Sequence, residues 1–335
     1  LDGVRERLRR PDRHPSPRQV PGPPLMHGTG LFTAIAALDS AGCVVLPPSR
    51  RFHPEELLDL VEAERVTEVS IVGDAFARPL LAALDAHPGR WDLSSLWLMV
   101  SSGVMWSAEV KAGLLRHVPR LTMVDTLGSS EAVGIASSRS DGERGTVATA
   151  GFQLGPHTRV VDDDGRDVAP GSGRPGLLAL RGRGPVGYYK DPEKTARTWR
   201  VLDGERWTVP GDVAEVASDG TVRLLGRGSA VINTGGEKVF PEEVEEVLKR
   251  HPAVGDAVVV GVPDARFGES VVAVVEAGRD PVPDEAVLVG WVKAHLAGYK
   301  APRRVLVVES VGRAPNGKVD HPRWRREASS RLGSA

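Results

Sequence analysis

The chain has 335 residues, a net charge of −1, 38 glycines and 26 prolines, enough for two domains and a sizeable core. Lys+Arg (43) balance Asp+Glu (44), so nothing in the overall charge pulls the chain toward nucleic acid or an acidic membrane. No apolar run reaches the ~18 residues of a membrane-spanning helix and no signal-peptide pattern opens the chain. The single cysteine, Cys43, excludes a disulfide framework and a cysteine-rich zinc site, and the expectation is a soluble protein of the reducing cytoplasm.

Leu1–Pro24 is polar and rich in Arg and Pro, and residue 1 is not Met; such an opening suggests a chain begun inside a longer one. From there helical and strand periods alternate. The spacing predicts helices over Leu31–Asp39, Pro54–Glu64, Ala75–Ala86 and Ala108–Arg116. Between them come strands over Cys43–Leu46, Glu68–Val72, Leu96–Val100 and Leu121–Val124. This alternation argues a parallel or mixed α/β layer, with ligands expected at the carboxyl ends of its strands. Residues 145–225 change to short strands broken by Gly, Pro and Asp-Gly, including a hairpin of Asp212–Val216 with Thr221–Leu225. From about residue 229 a helix over Glu242–Arg250 leads into the apolar runs Ala257–Val262 and Val271–Val275. A helix over Asp284–Leu296 and a strand over Arg304–Glu309 follow, the outline of a separate α+β unit of ~100 residues. The basic run Arg323–Arg331 reads as a solvated face.

Several familiar signals fail. Gly182–Gly187 fits the GxGxxG spacing but contains Pro185 and is read as a turn. No Gly-x-Ser-x-Gly elbow occurs, no Gly-x-x-x-x-Gly-Lys-Ser/Thr loop, and no metal-binding spacing among the nine histidines. Four segments place glycine and polar residues at breaks between apolar strands. In Asp125–Glu131 small residues permit close approach of a ligand and Glu131 offers a hard oxygen for Mg2+; a Gly-Ser turn is the plainer reading. Asp212, in Trp207–Asp212, can accept two ribose hydroxyls or simply end a turn. Gly226–Lys238 marks a junction between textures and reads as a hinge. In Arg313–Lys318 a lysine stands on a Pro/Gly loop in a chain with only 8 Lys among 43 basic residues; it is a phosphate-binding point charge or a solvated turn residue.

Taken in order, these segments resemble the acyl-adenylate-forming superfamily of acyl-CoA synthetases, adenylation domains and luciferases. The resemblance runs from Pro24–Gly30 to Lys318, through Gly187–Thr195, Val239–Glu245 and Tyr299–Arg303. It is nearest to bacterial fatty-acid and steroid-side-chain CoA ligases. The resemblance implies an α/β fold comprising part of a large adenylate-forming domain with a small β-rich subdomain (1–228), then a mobile α+β domain (229–335). It also implies ATP, Mg2+ and coenzyme A as cofactors and a fatty or bulky apolar carboxylic acid as substrate, a point to which Val104, Met105 and Trp106 add an apolar hint. Lys318 is then the catalytic cation and Glu131 the Mg2+ ligand. Gly103, Asp125, Leu127, Gly128 and Ser130 border the nucleotide, and Asp212 and Arg227 hold its ribose. His27, Gly28 and Gly128 border the acyl group, Ser229 is the hinge, Gly235 and Gly236 lie against the CoA arm, and Lys238 is a further cofactor-binding residue. Leu127 stands where relatives carry an aromatic, so weaker stacking on adenine is expected. Relatives also carry an upstream Ser/Thr/Gly-rich phosphate loop that is missing here, so this chain by itself is expected to adenylate poorly. The alternatives are an adenylation enzyme loading a carrier protein and a non-catalytic nucleotide-binding fragment.

Overall fold

Five parallel strands carry the first third of the molecule, described here as a computed structural model covering residues 16–104, 106–146, 151–182, 184–278, 284–315 and 317–333. In chain order the elements are β1 (Arg18–Pro21), α1 (Gly28–Asp39), β2 (Cys43–Val44), α2 (Pro54–Ala63), β3 (Glu68–Ile71), α3 (Gly73–Ala86), β4 (Leu98–Ser102), α4 (Ala108–His117) and β5 (Thr122–Leu127). The strands lie side by side as β2-β1-β3-β4-β5, all parallel. Side chains alternate between sheet faces. Val20, Val69, Ile71, Met99 and Met123 therefore meet the apolar stripes of α2, α3 and α4 in one core. The opposite face carries Gln19 and Ser70, which hydrogen-bond to each other (3.0 Å) while Gln19 also reaches Thr33 of α1 (3.0 Å). Helix α1 thus covers the second face and turns Leu31, Phe32, Ile35 and Leu38 outward, each at least 39% exposed.

The sheet continues antiparallel into β6 (Ala136–Ser140), β7 (Gly151–Leu154), β8 (Thr158–Val161) and β9 (Pro175–Arg181). Helix α5 (Pro192–Thr198) and strands β10 (Trp199–Leu202), β11 (Glu205–Thr208), β12 (Asp212–Val216) and β13 (Val222–Arg227) complete it. The order from β5 is β6-β7-β13-β12-β9-β11-β10, with β8 on β9. A second sheet, β15-β14-β17-β16 with β18 parallel on β17, is built from β14 (Ile232–Thr234), β15 (Glu237–Val239), β16 (Val254–Asp264), β17 (Gly268–Ala277) and β18 (Arg304–Val308). Helices α6 (Pro241–Lys249) and α7 (Glu285–His295) cover the face carrying Ala257, Val259, Ala273 and Val275. The other face, with Val258, Val260, Val272 and Val274, packs on α8 (His321–Gly333). Burial on both faces is why β16 and β17 read as unbroken apolar runs.

Three expectations need correction. The polar opening stretch contains β1, an interior strand, because its polar Gln19 finds buried partners. The basic run Arg323–Arg331 is part of helix α8, whose Trp324 (2% exposed) and Ala328 (0%) complete a core. The predicted loop starting at Asp125 is strand as far as Leu127, paired with β6. Elsewhere boundaries shift: α1 begins at Gly28 with His27 as its cap, and β2 is two residues long.

Candidate active site

Parallel strands point their carboxyl ends to one edge of a sheet, and there several of the expected site residues lie. His27 follows β1, Val72 follows β3, Gly103 follows β4, and β5 runs into Gly128–Glu131. His27 is 8% exposed and caps α1, its Nδ1 accepting the Thr29 N–H at 3.2 Å. The ring proton therefore sits on Nε2. Burial, and then the positive charge of Lys318, hold the His27 pKa below its ordinary 6.5, so the ring is neutral at pH 7. Gly103 has φ +92, and a Cβ there would stand 3.5 Å from the His27 ring and 3.8 Å from Val72. A side chain at Gly103 would be strained by this positive φ and would stand in contact with His27.

Lys318 arrives from the second sheet's unit. Its loop is closed by Ala314 N–H to Lys318 O (2.8 Å) and Gly317 N–H to Ala314 O (2.8 Å). Gly317 is buried at φ +77, where a Cβ would press to 3.0 Å from Val72 Cγ1. The loop thus seats on the residue that also borders Gly103. Asn316 lies outside the described residues. Between the loop and the start of α3 a cavity of about 630 Å³ remains, lined by Asp74, Arg78, Asp256 and Arg313 among others.

The β5–β6 connection carries Glu131. Ser129 N–H donates to Ala132 O (2.9 Å), and a Cβ on Gly128 would lie 3.0 Å from the same carbonyl, so the turn is tight. Ser130 is exposed at its tip, and Leu127 is half-buried against the core of Ile135 and Phe152. The Tyr188 hydroxyl donates to Glu131 Oε1 at 2.6 Å. Among the described residues no three His, Cys, Asp or Glu side chains group as a metal centre. A lone oriented carboxylate suits an ion that keeps most of its waters and draws its remaining ligands from substrate oxygens, which is the habit of Mg2+.

Asp125 plays a different part. Its carboxylate is buried and paired with Lys111 of α4, itself 0% exposed and 5.3 Å from the centre of the Trp106 ring. Burial pushes the Asp125 pKa up to about 6, against the lowering charge and hydrogen bond of Lys111, with Asp74 adding repulsion. This side chain is committed to the core, leaving only its backbone for a ligand. Lys111 is the residue that sequence reasoning missed. Its signal was a scarce lysine on the apolar face of a helix, between Val110 and Leu114. Met105, one of the three acyl-pocket hints, lies outside the described residues.

Asp212 and Arg227 are directly opposed across β12 and β13, and Asp212 is 6% exposed. The side chains of Arg227 and Ser229 lie outside the described ones. Gly28 sits in the first turn of α1 beside His27. Gly235 and Gly236, at φ +60 and +87, make the two-residue turn joining β14 to β15. Lys238 lines a separate cavity of about 370 Å³ with Asp162, Asp163 and Asn233. The structure therefore brings His27, Gly103 and Lys318 together, and leaves Gly235, Gly236 and Lys238 off that cleft.

The family model for AMP-binding enzymes matches residues 5–189, and that for the AMP-binding enzyme C-terminal domain matches residues 243–318. This chain belongs to the AMP-binding enzyme family. A medium/long-chain-fatty-acid–CoA/3-oxocholest-4-en-26-oate–CoA ligase of Mycobacterium tuberculosis is 44% identical over 318 residues, covering 92% of this chain and 56% of that protein. A 3-oxocholest-4-en-26-oate–CoA ligase of Rhodococcus rhodochrous is 43% identical over 321 residues, with the same coverage of 92% and 56%. Among solved structures, the amide bond synthetase McbA of Marinactinospora thermotolerans superposes with a TM-score of 0.80 at 31% identity, over 93% of this chain and 62% of that one. The chain thus spans little more than half the length of the curated relatives it matches. In this family member the cleft offers a neutral imidazole and an exposed ammonium on a positioned loop, and the β5–β6 turn carries a carboxylate oriented by a phenol. Such a set can bind anionic phosphate oxygens and orient a divalent cation. No helix among the described residues is long and apolar enough to cross a membrane.

Proposed function

We propose that this chain is part of an ATP-dependent acyl-CoA ligase acting on a fatty or bulky apolar carboxylic acid. The observation that carries the reading is the seating of the Lys318 loop on Val72, which puts the ammonium's charge beside His27 and Gly103. The names of the mycobacterial and rhodococcal relatives support the substrate class. In the first half-reaction a carboxylate oxygen of the acid attacks the α-phosphorus of ATP and pyrophosphate leaves. Lys318 neutralises charge growing on the α-phosphate oxygens, and the low dielectric of a closed cleft strengthens that effect. Glu131, turned by Tyr188, would hold Mg2+, which when bound supplies Lewis-acid neutralisation of the phosphates. Asp212 and Arg227 would hold the ribose hydroxyls. Gly103, Gly128, Leu127, Ser130 and the Asp125 backbone would line the nucleotide, with His27 and Gly28 toward the acyl group.

In the second half-reaction the CoA thiol sulfur attacks the acyl carbon and AMP leaves. That step needs the Lys318 loop withdrawn. We assign residues 1–228 and 229–335 to two domains hinged at Ser229, so that a swing would carry Gly235, Gly236 and Lys238 to the CoA arm. The likeness to an amide bond synthetase favours a second reading, in which the adenylate passes to an acceptor other than free CoA, such as a carrier protein. The deciding experiment incubates the 335-residue chain and the complete gene product with ATP, Mg2+, CoA and a panel of fatty and steroid acids, and detects acyl-CoA by mass spectrometry. Acyl-CoA from the complete product supports the ligase. Product only with a carrier protein or an amine in place of CoA selects the second reading, and AMP binding without turnover by either form rejects both.

A further inference from the structure

Lys318 must stay in place while its loop stands over empty space, and that raises the question of what holds it. The ends of the loop are secured: Val311 is 2% exposed, Val319 packs on the same cluster, and Trp324 Nε1 donates to Val311 O at 2.9 Å. Between them, Ala314, Pro315 and Gly317 line the 630 Å³ cavity that lies between the loop and the start of α3. Gly317 approaches the large sheet's layer at Val72 and Ala75. A segment with a void on one side lacks the dispersion contacts that fix an ordinary turn.

Arg313 supplies the missing constraint. Its Nε and Nη2 donate to the two oxygens of Asp256 on β16 at 2.5 and 2.9 Å, and its Nη1 donates to Gly317 O at 2.8 Å. The guanidinium therefore ties the carbonyl immediately before Lys318 to the edge of the small sheet. Side-chain exposures of 17% and 19% for Arg313 and Asp256 keep the pair from being loosened by water. Lys249 Nζ, 3.4 Å from Asp256 Oδ1, braces the carboxylate from α6. Burial alone would raise the Asp256 pKa, yet the bonds and charges of Arg313 and Lys249 outweigh it and hold it below its ordinary value.

We propose that Arg313 is a positioning residue for Lys318: clamped on Asp256, it sets the height of the loop over the cleft and so aims the ammonium in the adenylation step. The proposal rests on the ligase reading above. Because the whole clamp lies within one small unit, it travels with the loop and is not needed when the loop is withdrawn.

The two half-reactions, measured separately on the complete gene product, test this. Arg313→Gln should slow ATP–pyrophosphate exchange about 100-fold, the scale of an ångström's misplacement, with the KM for ATP nearly unchanged. Conversion of synthetic acyl-adenylate and CoA to acyl-CoA should be unaffected, which also certifies that the variant is folded. Arg313→Lys keeps the charge but loses the two-pronged geometry, and should be slowed nearly as much. Asp256→Asn weakens the same clamp and should show the same split, with no further loss when combined with Arg313→Gln. Equal loss in both half-reactions by both folded single variants, or exchange at the parent rate, overturns the clamp. If Lys318→Ala leaves exchange intact, or the parent protein shows none, it is the ligase reading that fails.

Discussion

Lys318 and His27 come from opposite ends of the chain, and the charge of the first bears on the titration of the second. The ammonium, added to burial, keeps the imidazole neutral. Lys318→Ala should lower adenylation about 100- to 1,000-fold, the loss expected when one preorganised transition-state charge is removed. Thioester formation from acyl-adenylate should survive, as partial-reaction kinetics would reveal; equal loss in both steps would contradict the assignment. Lys111 is the second residue on which much depends. Lys111→Met would leave Asp125 buried without its counter-charge, destabilising the fold by about 3–5 kcal/mol. The sign with pH follows from the raised Asp125 carboxyl, already near 6 in the native protein. A carboxyl whose native pKa is raised binds its proton more tightly when folded, so stability falls as pH rises through the interval above its unfolded value. Losing Lys111 widens that interval upward. Urea denaturation should therefore find the variant closer to the parent at pH 5 than at pH 8, and the opposite order would contradict the ion-pair account.

At the scale of elements, two helices make predictions of different kinds. Helix α8 is held by Trp324, which fills the core under β16 and β17 and hydrogen-bonds to Val311 just before the Arg313 loop. Trp324→Ala should cost about 3–5 kcal/mol, seen as a lowered midpoint in thermal or chemical denaturation. It should slow adenylation beyond any loss in thioester formation, since the loop's anchor moves. Helix α1 shows the reverse pattern. Its outward Leu31, Phe32, Ile35 and Leu38 form an apolar stripe next to Met26, itself 88% exposed. Stripes of this kind drive association. Ile35→Lys with Leu38→Glu should reduce self-association of the 335-residue chain in light scattering while changing its melting midpoint little. A large drop in the midpoint would mean that the stripe is part of the chain's own core.

Across the whole molecule, the two sheets are joined by polar ties. Arg223 of β13 lies 3.6 Å from Glu243 of α6, which Lys300 also holds at 2.7 Å, and the Arg78 guanidinium donates to Lys249 O at 3.3 Å. Glu243 is buried and keeps Lys300 within its own unit when its contact with Arg223 is broken, and Glu215, the other partner of Arg223 at 2.5 Å, is exposed enough for water to solvate it. Arg223→Gln should loosen the seated arrangement without unfolding either unit. Faster limited proteolysis between residues 228 and 231, with unchanged melting, is the expected result; unchanged proteolysis would mean that other contacts set the orientation.

Much of this architecture was legible because it depends on periodicity. The stripe of Leu57, Leu58 and Val61 announces α2, and the unbroken valines announce strands buried on both faces. The site segments were nominated by their joint order and spacing, because glycine next to a charged residue at a strand end, taken singly, serves equally as a plain turn. What escaped were elements whose burial is created by distant partners. Gln19 makes β1 an interior strand only because Ser70 and Thr33 meet it, and the basic sequence of α8 hides a single tryptophan that fits a gap in another layer. The burial of Lys111 depends on Asp125, 14 residues away on the neighbouring strand. Local pattern and composition were enough for the alternating helices and strands from Leu31 to Val124, for the family and for naming the candidate groups. Tertiary structure alone decided that Asp125 faces the core, that Arg313 holds the Lys318 loop, and that Lys318 rather than Gly235 and Gly236 occupies the cleft. Those are matters of which distant surfaces meet, and the free energy of such contacts has no signature in the spacing of residues along the chain.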